Sequence, residues 1–284
     1  MKPVRIIYVP YDSGRAGERF GRGPLKARDS GLASRLSASR PVSEQIVMHG
    51  GFFPTEGTVA FDLARRISHL VAEARSQDAF PIVVAGNCIS SLGTVSGMGG
   101  KRRAVVWLDA HPDFHTPDTT STAFLDGMGT AILAGEAWRV AARTVPHFQP
   151  VVRNRLLFIG ARDIDPDEAA RLSDPPVPVF SGDDYRADKT AVHSALEALG
   201  DISDVAYLHF DMDVTEPSPV PANEFATTRG FDDGEVASLL EAIADRVPIA
   251  AAGVTAYDPG LDTDGGMLTR YLSVIEQLAM LGAR

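Results

Sequence analysis

Residues 103–116 read RAVVWLDAHPDFHT. The first half is a short, almost unbroken apolar run, and the second half packs aspartate and histidine into a few positions. A run that apolar has no face left for water, so it predicts a strand buried on both sides, as in a parallel sheet covered by helices. In such sheets ligands bind in the crevice beyond the carboxyl ends of the strands, which is where DAHPDFH begins. The same grammar recurs in VRIIYV (4–9), FPIVVAG (80–86), RLLFIGA (155–161), VAYLHFD (205–211) and IAAAGVTAY (249–257).

Between these runs lie stretches with helical spacing, 58–77, 189–200, 231–246 and 265–283; in the first, Val59, Leu63, Ile67, Leu70 and Val71 recur at three- and four-residue steps. Alternating strand and helix is the signature of stacked βαβ units, so the expected fold class is α/β. No Ser/Gly linker, low-complexity tract or internal repeat divides the chain, and a single domain over 1–284 is expected.

Composition narrows the function. The chain has 284 residues, 44% apolar and 23% charged, with a formal charge of −10. That balance argues against nucleic acid and anionic membranes as partners, since both require a basic face, and it leaves small molecules or proteins. The lone Cys88 excludes an intrachain disulfide, and MKPVRIIYVPYDSG lacks the apolar core of a signal peptide, so a cytoplasmic location is expected. No apolar segment approaches the roughly 18 residues of a membrane span.

Two acidic clusters follow strand ends: Asp109, His111 and Asp113 after RAVVWL, and Asp211 and Asp213 after VAYLHF. Spacing of i and i+2 aims both side chains to one side if the backbone stays extended. Like carboxylates packed together must be protonated or neutralised, and a cation solves the problem. Oxygen ligands with one imidazole suit a hard to borderline divalent ion such as Mn²⁺ better than structural zinc. The ligands outnumber the needs of one ion, and two metals about 3.5–4 Å apart would share carboxylates and hold an attacking hydroxide. His209, two residues before Asp211, falls on the same side of its strand and is a candidate to line the site. His69, His147 and His193 read as surface or packing residues.

The segments GRGPLKARDSGL (21–32), VVWLDAHPDFHTPDTTSTAFLDGM (105–128), FIGARDIDPDE (158–168) and LHFDMDVTEPSPVPA (208–222) resemble, in order, the motifs of the arginase/agmatinase (ureohydrolase) family. The resemblance spans about residues 5–275. It implies a single three-layer α/β/α domain with a mainly parallel sheet of about eight strands, a binuclear Mn²⁺ site, and a metal-dependent hydrolase of a guanidine-type C–N bond. It also implies a homo-oligomer, trimer or hexamer.

Carried over by position, the resemblance makes Asp109, His111, Asp113, Asp211 and Asp213 metal ligands. Cys88, in AGNCISSLG (85–93), stands where a ligand histidine is expected. Asp113 or its neighbours are expected to hold the nucleophile by a hydrogen bond. The proton-shuttle position falls on Asp126, which reads equally as a cap for a helix beginning near Gly127. His115 and Thr122 lie in the segment that binds the substrate's amino-acid end, and Asp165 and Glu168 match positions that contact its amino group, although DPDE also reads as an acidic first helical turn. Ala256 replaces the glutamate that pairs with the guanidinium, with Asp258 nearby but pointing elsewhere. The motif N-C-x-S-S-L resembles the branch of the family that hydrolyses Nω-hydroxy-L-arginine. The implied substrate is therefore arginine-like or Nω-hydroxyarginine-like, releasing an amine and urea or hydroxyurea. Two alternatives are a formimidoyl or amide hydrolase on the same frame and a catalytically silent binding protein.

Overall fold

The computed structural model describes residues 2–51, 54–217 and 219–282. Eight strands build its main sheet: β1 (Val4–Val9), β2 (Val42–Ile46), β3 (Phe80–Ala85), β4 (Arg103–Leu108), β5 (Leu156–Ile159), β6 (Val179–Phe180), β7 (Val205–Asp211) and β8 (Ile249–Thr255). Their order is β2-β1-β3-β8-β7-β4-β5-β6, every pair parallel. The expected α/β/α architecture is therefore present.

Alternation along each strand feeds two cores. Ile6, Ile82, Val106, Leu208 and Val254 point to one face and meet helices α1 (Arg22–Asp29), α5 (Lys189–Asp201), α6 (Asp233–Arg246) and α7 (Gly266–Gly282). Ile7, Val83, Val105, Trp107 and Tyr207 point to the other and meet α2 (Glu56–Ser76), α3 (Ser91–Gly97) and α4 (Pro166–Ser173). Covering both faces is what makes the strand sequences read as continuous apolar runs.

The differences from expectation fall at edges and ends. β2 reads VSEQI and β6 has two residues, so neither carries the apolar run of a central strand; β2 is half-exposed at the sheet edge. The run 249–257 stops being strand at Thr255, and Ala256 turns into the left-handed region at φ 60°. The helix expected over 231–246 starts later because Asp232 caps it, accepting from the Glu235 amide while Glu235 bonds back. Ala283, the expected end of α7, and Ser218, within one family-like segment, lie outside the described residues. No described helix is long and apolar enough to cross a membrane.

Sheet order decides which strand ends meet. β3, β8, β7 and β4 are consecutive neighbours, so the residues after each of their carboxyl ends, separated by up to about 170 positions in sequence, share one crevice.

Candidate metal centre

The crevice holds a cleft of about 160 Å³ whose floor includes Cys88, Asp109, Asp113, Asp211 and Asp213, with His111 at its side. Two equivalent turns build the floor. Asp109 Oδ1 accepts the His111 amide at 2.8 Å, and Asp211 Oδ1 accepts the Asp213 amide at 2.8 Å. Each is an Asx turn, in which an aspartate bonds the backbone two residues on. The i, i+2 convergence thus comes from a turn and not from extended backbone: β7 ends at Asp211, which caps a short 3₁₀ turn over Met212–Val214. The other oxygens are also held, Asp109 Oδ2 by the Trp107 indole at 3.0 Å and Asp213 Oδ1 by the Ala110 amide at 3.1 Å.

These turns gather two sets of donors, each within 4.8 Å of one another: Cys88, Asp109, His209 and Asp211, and Asp109, His111 and Asp213. Asp109 belongs to both. His111 Nδ1 lies 3.3 Å from Asp109 Oδ1 and 3.3 Å from Asp213 Oδ2. Asp113 falls in neither set, but it lines the cleft, with its backbone in the left-handed region at φ 50°. Its carbonyl is fixed by the Thr130 hydroxyl at 2.8 Å. Asp113 and Ala256, both non-glycine residues at positive φ, mark local strain of the kind that clusters at functional sites.

The electrostatics are those of a charge excess. Burial, then Asp213, pushes the Asp109 carboxyl up to about 7. Burial and neighbouring acids raise Asp113 and Asp211 well above the carboxylate range. Burial opposes charge on His111, but Asp213 and Asp109 overcome it and push the imidazole up to about 12. Burial works against Asp213 as well, and His111 prevails and holds it below the usual range. Burial, then Asp211, raises the Cys88 thiol. Protons therefore do the neutralising that a cation would do. Carboxylates, an imidazole and a sulfur converging on shared positions fit a divalent ion, which binds by displacing those protons.

Comparison with known proteins agrees with this geometry. A sequence profile described as the arginase family matches residues 2–281. The chain belongs to the arginase family. Among its relatives is an arginase of Agrobacterium fabrum, 28% identical over 93% of this chain and 87% of that one. The fold resembles a Bacillus cereus arginase structure, with TM-score 0.88, 23% identity and 98% of each chain covered. It also resembles Bacillus subtilis formimidoylglutamase, with TM-score 0.78 and 17% identity over 99% of this chain and 88% of that one. As an arginase-family member the chain is an enzyme, a metal-dependent hydrolase of the ureohydrolase class.

In this arginase-family site the remaining candidates separate. Asp126 caps no helix of its own: the short turn it begins has Leu125 at its cap, without a side-chain bond. Its carboxylate instead accepts the Ile89 amide at 2.6 Å and Asn87 Nδ2 at 2.7 Å, gripping the turn that carries Cys88. It lines the cleft, and burial pushes it up to about 7 despite those bonds. His115 Nε2 lies 2.9 Å from Asp165 and 3.4 Å from Glu168. Glu168 is buried, faces the cleft and accepts the Phe114 amide at 2.9 Å. Asp165 is half-exposed, caps α4 through the Asp167 and Glu168 amides and does not line the cleft, so its helix-start reading describes its contacts. Thr122 is exposed at the rim. Asp258 turns away to Arg22 at 2.7 Å, as expected.

His209 corrects an expectation. It does not line the cleft but lies fully buried behind the floor, stacked on Trp107 with ring centroids 3.5 Å apart. Burial pulls its imidazole down to about 3, so it is neutral. His69 and His147 are exposed and His193 is half-buried on α5. Sequence reading missed Asn223, whose Nδ2 joins Asp213 at 3.3 Å to the Ala256 carbonyl at 3.0 Å. It also missed a rim in which Phe225 packs on Phe20 at 6.0 Å and Phe124 at 5.8 Å. Neither has a spacing signal, because each depends on loops meeting across the crevice.

Proposed function

We propose that this enzyme hydrolyses a guanidine-type C–N bond of an arginine-like or Nω-hydroxyarginine-like small molecule, releasing an amine and urea or hydroxyurea. The observation that carries the reading is Asp109, whose carboxylate converges with Cys88 and Asp211 in one donor set and with His111 and Asp213 in another, so that the residues present would fit two divalent ions. Cys88, Asp109, His111, Asp113, Asp211 and Asp213 are the proposed ligands, within a single domain that assembles as a homo-oligomer, a trimer or hexamer. When bound, the metals supply Lewis-acid polarisation and bring the deprotonation of water within reach of neutral pH.

The chain's own groups do the rest. Asp113, lining the cleft with a fixed backbone, accepts a hydrogen bond from the attacking water and orients it. Asp126, pushed up to about 7 by burial, holds a proton near neutrality and gives it to the departing nitrogen as the C–N bond breaks. His115 and Glu168 bind the remote amino group and Thr122 the rim side of the substrate, with Asp165 orienting His115. Ala256 offers the guanidine no carboxylate, which suits the less basic hydroxyguanidine. The same absence suits an N-formimidoyl group, which has one nitrogen fewer, and gives the second reading.

The test is direct. Protein loaded with Mn²⁺ is incubated with arginine, agmatine, Nω-hydroxyarginine and N-formimidoylglutamate, and urea, hydroxyurea and formamide are quantified. Urea or hydroxyurea supports the first reading and formamide the second. Loaded protein that forms none of the three overturns both readings.

A further inference from the structure

Behind the donor floor runs a buried polar chain that the proposed hydrolysis does not use. The Tyr207 hydroxyl lies 3.0 Å from His209 Nδ1, and His209 Nε2 lies 3.4 Å from Thr255 Oγ1. Thr255 Oγ1 is in turn 3.1 Å from Asp211 Oδ2 and 3.3 Å from Cys88 Sγ, and those two are 3.1 Å apart. Tyr207, His209 and Thr255 are each fully buried.

Register and an absent side chain create this chain. Thr255 pairs with Asp211 across β8 and β7, and Gly253 pairs with His209. A Cβ at Gly253 would stand 2.0 Å from the Tyr207 hydroxyl. Glycine inside a central strand weakens it and marks a close approach, and here the approach is the one that puts Tyr207 on His209.

Proton direction follows from the donor count. Nδ1 is the hydroxyl's partner among the described residues; with Tyr207 donating to it, the imidazole carries its proton on Nε2. Nε2 then donates to Thr255, whose single hydroxyl proton must face Asp211 or Cys88. We propose that Tyr207, His209 and Thr255 are positioning residues that hold this hydroxyl proton on the Cys88–Asp211 edge of the centre and so fix both side chains for the ion. His209 serves from behind and is no ligand: Trp107 pins its ring, Thr255 engages Nε2, and the ring does not reach the cleft. The inference rests on the reading that Cys88 and Asp211 bind metal.

Because the chain has one cysteine, sulfur-to-cobalt charge-transfer absorption reports Cys88 alone. Metal-free full-length protein is titrated with Co²⁺, following that band and the affinity. Wild type shows the band. Thr255→Val weakens Co²⁺ binding about 10- to 100-fold, the usual effect of losing a partner behind a ligand, and Thr255→Ser restores it. Tyr207→Phe, which removes only the hydroxyl, and Gly253→Ala, which displaces it, each weaken binding several-fold, so the test stands even if Thr255→Val does not fold. A wild-type band and affinity in both Thr255→Val and Tyr207→Phe overturn the proposal. So does wild-type protein without the band, or loss of binding in His209→Asn with Thr255→Val unaffected, which would make His209 a ligand. Urea release without a thiolate band leaves the hydrolase reading standing and this inference fallen; a Thr255-dependent band without any hydrolysis does the reverse.

Discussion

Asp126 grips the Cys88 turn with the carboxylate that also faces the cleft, so one substitution tests both uses. In Asp126→Asn one oxygen still accepts the Ile89 amide, but the new amide faces Asn87 Nδ2, and Asn87 cannot rotate because its Oδ1 accepts the Ser13 amide at 2.7 Å. Two donors then meet in a buried place, and the cost is about 1–3 kcal/mol, to be read from denaturant unfolding without metal. Loss of the proton donor lowers kcat by about 10²- to 10⁴-fold with little change in KM; a change confined to KM would contradict the role. Asp126 was legible as an acid near the site, but its contact with Asn87 and Ile89 was not, because they lie on a different strand-end turn. The aspartates after β4 and β7 were legible for a local reason, since each follows directly on an apolar run; the Asx turns that make them converge were not.

The element that carries Cys88 depends on a close helix pair. α3 packs on α2 through Gly93 and Gly97, where a Cβ would stand 2.5 Å from the Ala64 carbonyl and 2.4 Å from the Ser68 carbonyl. Gly93→Ala pushes the helices apart, and overpacking of this kind costs about 1–3 kcal/mol. Because Cys88 opens the turn that leads into α3, the same change lowers metal content per chain, measured by elemental analysis. An unchanged metal content would show that α3 does not set the position of Cys88. Central strands and long helices were visible in sequence because their burial is written as continuous apolarity or a 3.6-residue period. The edge strands β2 and β6 were not, since a half-exposed edge needs no apolar run.

At the scale of the whole molecule, the donor cluster stores unfavourable charge that a cation relieves. Asp109 and Asp126 are both raised to about 7 by burial, so the folded chain keeps protons that the unfolded chain releases near the ordinary value of about 4. Their contribution is complete below that value and is lost as pH rises toward 7. His111, raised to about 12 by Asp213 and Asp109 against burial, loses its contribution in the same direction above about 6.5. Metal-free protein is therefore expected to unfold at lower denaturant concentration at pH 7.5 than at pH 5, a comparison made in the presence of chelator; the opposite order would show that these acids are not held protonated. Mn²⁺ at about 100 times its Kd adds about 2.7 kcal/mol, an increase in Tm of roughly 5 °C for a chain of this size, and scanning calorimetry with and without metal reads it. The sequence by itself determined the α/β class, the family and the acids at the strand ends, because buried strands, the acids that follow them and short motifs are local patterns carried by neighbouring residues. Only the tertiary structure decided which strand ends are neighbours, that Asp109 is shared by two donor sets, and that His209 stands behind the floor. Those outcomes depend on sheet order and on pleat direction across several strands, which no local stretch of sequence encodes.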